Sequence, residues 1–316
     1  MRQTALHGYD ILGLRGMSKN NIDLILHTAA KMKALLQRGK KDMELLSGKS
    51  VAIVFYENST RTRLSFELAA KYLGAHVVSM SEQGSSVAKG ESLEDTLDTI
   101  AMMAADAIVI RHSHSGAPTV MASKIDVPII NAGDGMNEHP TQALLDMYTM
   151  LEYKGRLDGL KVAIIGDIYH SRVARSNIWG LTKMGAQVVV AGPPTLLPKD
   201  IEAMGAQVSS DVEYAIKGAD VVMGLRMQRE RQSAGLVPSL AEYTRYFGIN
   251  AQRLAMAKGD AILMHPRPAN IGVEISADII NGPQSVISRQ VTNGVAVRMA
   301  LLYLILGGGD DIEDID

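Results

Sequence analysis

Val51-Ala52-Ile53-Val54-Phe55-Tyr56-Glu57-Asn58-Ser59-Thr60-Arg61-Thr62-Arg63 passes from an apolar, strand-like run directly into a polar turn. The Leu64, Leu68, Tyr72 spacing after it is helical, so the stretch predicts strand, turn and helix with Ser59 as N-cap. A helix N-terminus carries partial positive charge, and a cation there costs a few tenths of a kcal/mol up to about 1 kcal/mol. Arg61 and Arg63 therefore oppose the dipole unless an anion sits between them. Hydroxyls, backbone N–H groups and guanidinium together form a phosphate cradle. The plainer alternative is an ordinary cap followed by two solvated arginines.

Working outward, the same strand-and-helix alternation recurs. Ser18 reads as the N-cap of a long amphipathic helix with Ile22, Ile25, Leu26 and Ala29 on one face. Apolar runs at His76–Val78, Ala107–Ile110 and Val127–Ile130 follow, separated by helical patterns such as Ser92–Ala104. A helix from Pro140 to about Glu152 leads to a turn at Gly155–Gly159. A second series comprises Val162–Gly166, Gln187–Ala191, Asp220–Gly224 and Ala261–Met264, closed by a long helix at Val291–Leu306. Strands alternating with helices imply parallel sheets. The expected fold is α/β, with two doubly wound parallel-sheet domains, a cleft between them, and linking helices that include the C-terminal one. The expected boundaries are 1–150, completed by the helix 289–307, then 151–288, with an acidic tail at 308–316.

Composition narrows the function. The chain has 316 residues, enough for two domains, and 47% are apolar, enough for substantial cores. A net charge of −2 gives no basic field for nucleic acid or acidic membranes. With no cysteine there is no disulfide, thiolate zinc site or cysteine nucleophile. The N-terminus shows no signal-peptide pattern, and Val295–Leu306 contains Arg298 and falls well short of the ~20 residues that span a bilayer. A soluble, cytoplasmic protein is expected. The eight histidines lack metal-ligand spacing, and neither a Walker loop nor a G-x-S-x-G elbow is present, so no metal and no cofactor are expected.

A second turn, Asp167-Ile168-Tyr169-His170-Ser171-Arg172-Val173-Ala174-Arg175-Ser176, repeats the serine cap and the arginines opposed to the dipole. It lacks G-x-G-x-x-G, which argues against a dinucleotide and for a second anion site. Arginine grips a carboxylate through two parallel hydrogen bonds. The loop Asn131–Gln142 runs from a strand into a helix and places His139 and Gln142 three apart, able to face one spot. A histidine in such a polar, glycine-rich turn is expected to be exposed, and a neutral one could donate to a carbonyl oxygen. Three weaker signals remain: Lys89 in the small-residue loop Gly84–Gly90, the charged run Leu225–Arg231, and His265-Pro266-Arg267-Pro268 after a strand.

In this order, Ser59–Arg63, His139-Pro140-Thr141-Gln142, Arg226–Arg231 and His265-Pro266 resemble the aspartate/ornithine carbamoyltransferase family, over about Leu12–Leu306. The Arg226, Gln228, Glu230 stretch resembles its aspartate branch. The S-M-G loop and H-C-L-P motif of ornithine enzymes are absent. The resemblance implies carbamoyl transfer from carbamoyl phosphate to L-aspartate, giving N-carbamoyl-L-aspartate in de novo pyrimidine biosynthesis. It makes the first domain the carbamoyl phosphate-binding one and the second the aspartate-binding one. It assigns Ser59, Thr60, Arg61 and Thr62 to the phosphate, Arg111 to phosphate and carbonyl, His139 to the carbonyl oxygen and Gln142 to the carbamoyl nitrogen. Thr62, Arg111 and His139 would stabilise the oxyanion.

By the same resemblance, Ser85, at carbamoyl phosphate, and Lys89, catalytic and at aspartate, enter a neighbouring subunit's site, which implies a homotrimer with shared active sites. Arg172, Arg226, Gln228 and the Pro266 backbone bind aspartate, with Arg267 beside them. Gln290, Asn293, Gly294 and Arg298 belong to the closing helix, which packs back on the first domain. Arg267 stands where related chains usually carry a small or apolar residue, and Ala269 and Ile271 where relatives often keep an arginine. Two alternatives stay open: a carbamoyltransferase for another amino acid, and a catalytically silent scaffold homologue. A regulatory chain or dihydroorotase as partner is also left open.

Overall fold

The computed structural model describes residues 6–81, 92–228, 236–237 and 239–307. Ser85, Lys89, the run Arg229-Glu230-Arg231 and the acidic tail lie outside the described residues. The chain divides into two compact units, one running through Leu145 and resuming at Thr292, the other Asp146–Val291.

The first unit contains α1 (Lys19–Gln37), β1 (Ser50–Phe55), α2 (Thr60–Tyr72), β2 (His76–Ser81), α3 (Leu93–Met102), β3 (Ala107–His112), α4 (Ala117–Ala122) and β4 (Ile129–Asp134). Its sheet is parallel, in the order β2-β1-β3-β4. α5 (Pro140–Lys154) crosses from the first unit into the second. The second unit holds β5 (Lys161–Ile165), α6 (Arg172–Lys183), β6 (Gln187–Ala191), β7 (Gln207–Ser209), α7 (Val212–Ile216), β8 (Val221–Gly224), α8 (Leu240–Phe247), α9 (Ala251–Leu254) and β9 (Ile262–Met264). These strands are also all parallel, ordered β7-β6-β5-β8-β9. α10 (Ile287–Leu302) returns the chain to the first unit. The expected pair of doubly wound α/β sheets joined by helices is therefore present.

Central strands covered on both faces read as continuous apolar runs, which is why β1, β3, β5 and β8 were legible. β7 was not predicted, because Gln207-Val208-Ser209 is short and largely polar. The fourth strand starts at Ile129 and not Val127, since Pro128 has no N–H to give the ladder, and it extends through Asn131 to Asp134. α2 forms as expected but buries Thr62, Phe66, Ala69 and Ala70, leaving Leu64 and Leu68 exposed. The helical period was right, but the buried face is carried by other residues than Leu64 and Leu68.

The C-terminal helix also departs from expectation. With its final π turn it spans Ile287–Gly307, and by length and composition it is long and apolar enough to cross a membrane. Most of its length is buried inside the protein, which marks a core helix. Arg298 is buried on it, donating to Ser65 Oγ (2.9 Å), the Gly294 carbonyl (3.0 Å) and Thr141 Oγ1 (3.3 Å). In the second unit, Asp146 accepts from Asn177 Nδ2 and Gln290 Nε2, both at 2.8 Å, and Gln290 Oε1 accepts the His265 N–H.

At the start of β8, Asp220 accepts from Lys258 Nζ (2.7 Å) and the Lys161 N–H (2.9 Å). Burial pushes its carboxyl up, but those two hydrogen bonds with the charges of Lys258 and Lys154 outweigh burial and hold it below the usual range. A carboxyl whose pKa is lower folded than unfolded stabilises the fold while ionised, and that contribution disappears as pH falls through the folded value. Asp220→Asn should therefore cost about 1–2 kcal/mol near neutral pH, and the difference should shrink below about pH 4. Urea melts of both proteins at several pH values test this. A pH-independent difference would contradict it.

Candidate active site

In the first unit the strand order reverses between β1 and β3, the position where ligands bind at the carboxyl ends of open parallel sheets. The Ser59–Arg63 turn leaves β1 there, and Arg111 lies on β3 in register with Phe55. Ser59 is the N-cap of α2, with an extended backbone, but its hydroxyl makes no capping hydrogen bond. The caps Ser18, Ser92 and Ser171 all accept one. The Ser59 hydroxyl is thus not engaged by its own helix. Thr60 and Arg61 are exposed and Thr62 is buried in the same first turn, while Arg63 Nε lies 3.6 Å from Glu67, along the helix. Arg111 is only 8% exposed. Its Nη1 donates to the Ala132 carbonyl (3.2 Å) and its Nη2 to Glu57 Oε1 (2.7 Å). The guanidinium is therefore anchored by β4 on one side and by the residue pair after β1 on the other.

His139 immediately precedes α5, and its carbonyl accepts the N–H groups of Gln142 (3.1 Å) and Ala143 (3.2 Å). The expectation of an exposed histidine is corrected: His139 is 5% exposed. The loop that carries it is packed on the structure around Asp134, which the glycine-rich composition concealed. Gln142 is half-buried on the first turn of α5.

The second unit repeats the plan. Its order reverses between β5 and β8. β5 is followed directly by Gly166, whose φ of +133° lies outside ordinary L-residue space and where a Cβ would come within 3.1 Å of the Leu225 carbonyl. The Ser171 hydroxyl accepts the Ala174 N–H (3.1 Å), and Arg172, buried, is the first residue of α6. Burial pushes the Arg175 guanidinium down, with the Tyr169 and Asp167 charges acting in the opposite sense.

Asp167 ties this turn to the exit of β8. Fully buried, it accepts from the His170 N–H (3.1 Å), His170 Nδ1 (2.9 Å) and the Gln228 N–H (3.2 Å). Arg226 and Gln228 are half-buried, and Leu225 and Met227, which alternate with them, are buried, as an extended backbone requires. Burial and the nearby carboxylates of Glu274 and Asp167 push the Tyr243 phenol upward.

Pro266 and Arg267 follow β9 and are half-buried. Arg267 takes a left-handed φ of +51°, and its N–H donates to His265 Nδ1 (2.9 Å). Its Nε is buried without a hydrogen-bond partner among the described residues, so the side chain is not a solvated one.

Thus β1 and β3 bring together Ser59, Thr60, Arg61, Thr62 and Arg111, and β5 and β8 bring together Arg172, Arg226 and Gln228. The supporting carboxylates Glu57, Asp134 and Asp167 were not singled out from sequence. Each lies inside a stretch quoted for its cations or glycines, and an acid beside a cationic turn was the signal available.

Two parallel-sheet units, each with a serine-capped, arginine-bearing helix start where its strand order reverses, define an α/β protein with a paired set of cationic turns. Residues 9–152 match the family model described as the aspartate/ornithine carbamoyltransferase carbamoyl-P binding domain, and 158–305 match the Asp/Orn binding domain. The chain belongs to the aspartate/ornithine carbamoyltransferase family, as the motifs led one to expect. It is 60% identical over 300 residues to the aspartate carbamoyltransferase catalytic subunit of Acetivibrio thermocellus, covering 95% of this chain and 96% of that one. Among solved structures it resembles aspartate transcarbamoylase from Trypanosoma cruzi in complex with N-(phosphonacetyl)-L-aspartic acid, with TM-score 0.88, 32% identity and coverage of 96% and 97%. It also resembles ornithine carbamoyltransferase from Pyrococcus furiosus, with TM-score 0.86, 33% identity and coverage of 96% and 99%. Backbone likeness alone does not separate the two branches; the 60% identity to an aspartate enzyme does.

Proposed function

We infer that the chain transfers the carbamoyl group of carbamoyl phosphate to the amine of L-aspartate, giving N-carbamoyl-L-aspartate and phosphate in pyrimidine synthesis. The observation that carries this reading is the repeated cationic turn at the strand reversal of each sheet, in a chain 60% identical to aspartate carbamoyltransferase catalytic subunits. Ser59, Thr60, Arg61 and Thr62 hold the phosphate. Arg111 bridges phosphate and carbonyl, His139 donates to the carbonyl oxygen, and Gln142 faces the carbamoyl nitrogen. Arg172, Arg226, Gln228 and the Pro266 backbone hold aspartate, and Arg267 lies beside them.

The aspartate amine attacks the carbamoyl carbon, charge moves onto the carbonyl oxygen, and the C–O bond to phosphate then breaks. Thr62, Arg111 and His139 stabilise that oxyanion. The amine proton passes to the departing phosphate, which suits a site where no side-chain base was identified. Holding the reactants in attack geometry can supply ~7–11 kcal/mol of the barrier.

Ser85 and Lys89 are assigned to a neighbour's site, in a cytoplasmic homotrimer. Support for self-association comes from β2, an edge strand with Val78 exposed, and from the exposed Leu64 and Leu68 of α2. Native mass spectrometry should show three 34.0 kDa chains, with or without regulatory chains or dihydroorotase. The deciding assay supplies carbamoyl phosphate with L-aspartate or with L-ornithine and identifies the product by mass. Carbamoyl-aspartate is expected, and carbamoyl-ornithine alone would overturn the assignment.

A further inference from the structure

The loop before His139 is held by a carboxylate clamp that the reaction chemistry does not require. Glu138 is 5% exposed, and both its oxygens face backbone donors of a distant segment. Oε2 accepts the Leu14 N–H at 2.8 Å and Oε1 the Arg15 N–H at 3.1 Å. That segment runs along the free edge of β4. Ile11 forms a parallel bridge to Ile130, donating to the Ile129 carbonyl (2.9 Å) and accepting the Asn131 N–H (2.8 Å). Asn131 Nδ2 donates to the Leu12 carbonyl (2.9 Å). Between these anchors lies Gly13, where a Cβ would fall 2.3 Å from Glu138 Oε1. A side chain at this position would have to push the Glu138 carboxylate aside.

The backbone of Glu138 is fixed as firmly as its side chain. Its N–H donates to Asp134 Oδ1 and its carbonyl accepts the Asp134 N–H, each at 3.1 Å. Asp134, fully buried, also accepts from Gly116 N–H (2.6 Å), Asn131 Nδ2 (2.8 Å) and Asn137 Nδ2 (2.9 Å). On the other side, the His139 carbonyl is held by the first turn of α5. With both flanking peptides fixed, the direction in which the imidazole leaves the backbone is fixed as well.

A buried carboxylate is costly unless charge-assisted hydrogen bonds compensate it. Two consecutive N–H donors match its two oxygens, whereas an amide could accept only one of them and would set its NH2 against the other. We propose that Glu138 is a positioning residue of the carbamoyl-transfer reaction, clamping the segment Gly13–Arg15 onto the His139 loop so that the imidazole meets the carbonyl oxygen as charge develops. The inference rests on the role of His139 given above.

The positioning acts on the transition state more than on bound substrate. Glu138→Gln should therefore lower kcat by roughly tenfold or more, with KM for carbamoyl phosphate within about threefold of the parent. Gly13→Ala, which presses on the same carboxylate from the opposite side, should give the same split, and it serves if Glu138→Gln folds poorly.

The test is a double-mutant cycle with His139→Ala. If Glu138 acts through the imidazole, Glu138→Gln in the His139→Ala background should change kcat by less than about twofold. An equal loss in both backgrounds would overturn the positioning role and leave the role of His139 intact. A His139→Ala protein with parental kcat would instead overturn the His139 assignment, and this inference with it. Unchanged kcat in both Glu138→Gln and Gly13→Ala would also reject the clamp.

Discussion

Arg111→Ala is expected to lower kcat/KM by about a thousandfold, the largest single effect foreseen for this chain. On the proposed reading its guanidinium meets charge as it develops on the carbonyl oxygen, and removing one such preorganised donor costs about 3–4 kcal/mol of barrier. The residue is almost entirely buried at the carboxyl end of β3, where low polarity strengthens the interaction. A second consequence follows from Glu57, which holds Nη2 at 2.7 Å and is itself mostly shielded. Without Arg111 that carboxylate loses its counter-charge, and folding stability should fall by about 1–3 kcal/mol. The two effects separate in Glu57→Gln, which keeps an acceptor for Nη2 while removing the negative charge. That variant should be folded and should retain far more activity than Arg111→Ala. Steady-state kinetics and urea melts read both. A kcat/KM within about tenfold of the parent in Arg111→Ala would remove this residue from the oxyanion site.

Arg61→Ala should change function far more than stability. Arg61 is exposed in the first turn of α2, against the helix dipole. Its replacement should change stability by less than about 1 kcal/mol, the scale of an exposed charge at a helix end. Loss of charge-assisted bonds to phosphate should meanwhile raise KM for carbamoyl phosphate by a hundredfold or more, on the order of 3 kcal/mol. Lysine should restore only part of this, since an ammonium offers no planar fork to two phosphate oxygens. Inorganic phosphate supplies a second readout: it should raise the melting temperature of the parent and not of Arg61→Ala. Equal protection of both proteins would show that this turn does not bind phosphate.

Much of the candidate site was open to sequence reading because its logic is local. A serine followed by arginines at the start of a helix is an arrangement opposed to the dipole, and the opposition is visible within five residues at Ser59–Arg63 and again at Ser171–Arg175. The strands preceding these turns are continuous apolar runs for an equally local reason, being covered on both faces. The supports were harder to see. Asp167 holds the Gln228 N–H across 61 positions of sequence, and Glu138 holds Leu14 across 124. No periodicity or spacing encodes such pairings, because they depend on which strand lies beside which.

The residue sequence was sufficient for two α/β series, two cationic turns at helix starts and the family they resemble, since each depends on patterns of a few residues and on dipole electrostatics. It was not sufficient for burial. Leu64 and Leu68 mark the helical period yet are exposed, whereas His139 was expected to be exposed and is buried. Folding supplied the order of the strands, and that order sets Arg111 beside the Ser59 turn and Gln228 beside the Asp167 turn. Dipoles and periodicities act over one helical turn, while the burial of a charge such as Arg111 or Glu138 comes from segments tens to more than a hundred residues apart.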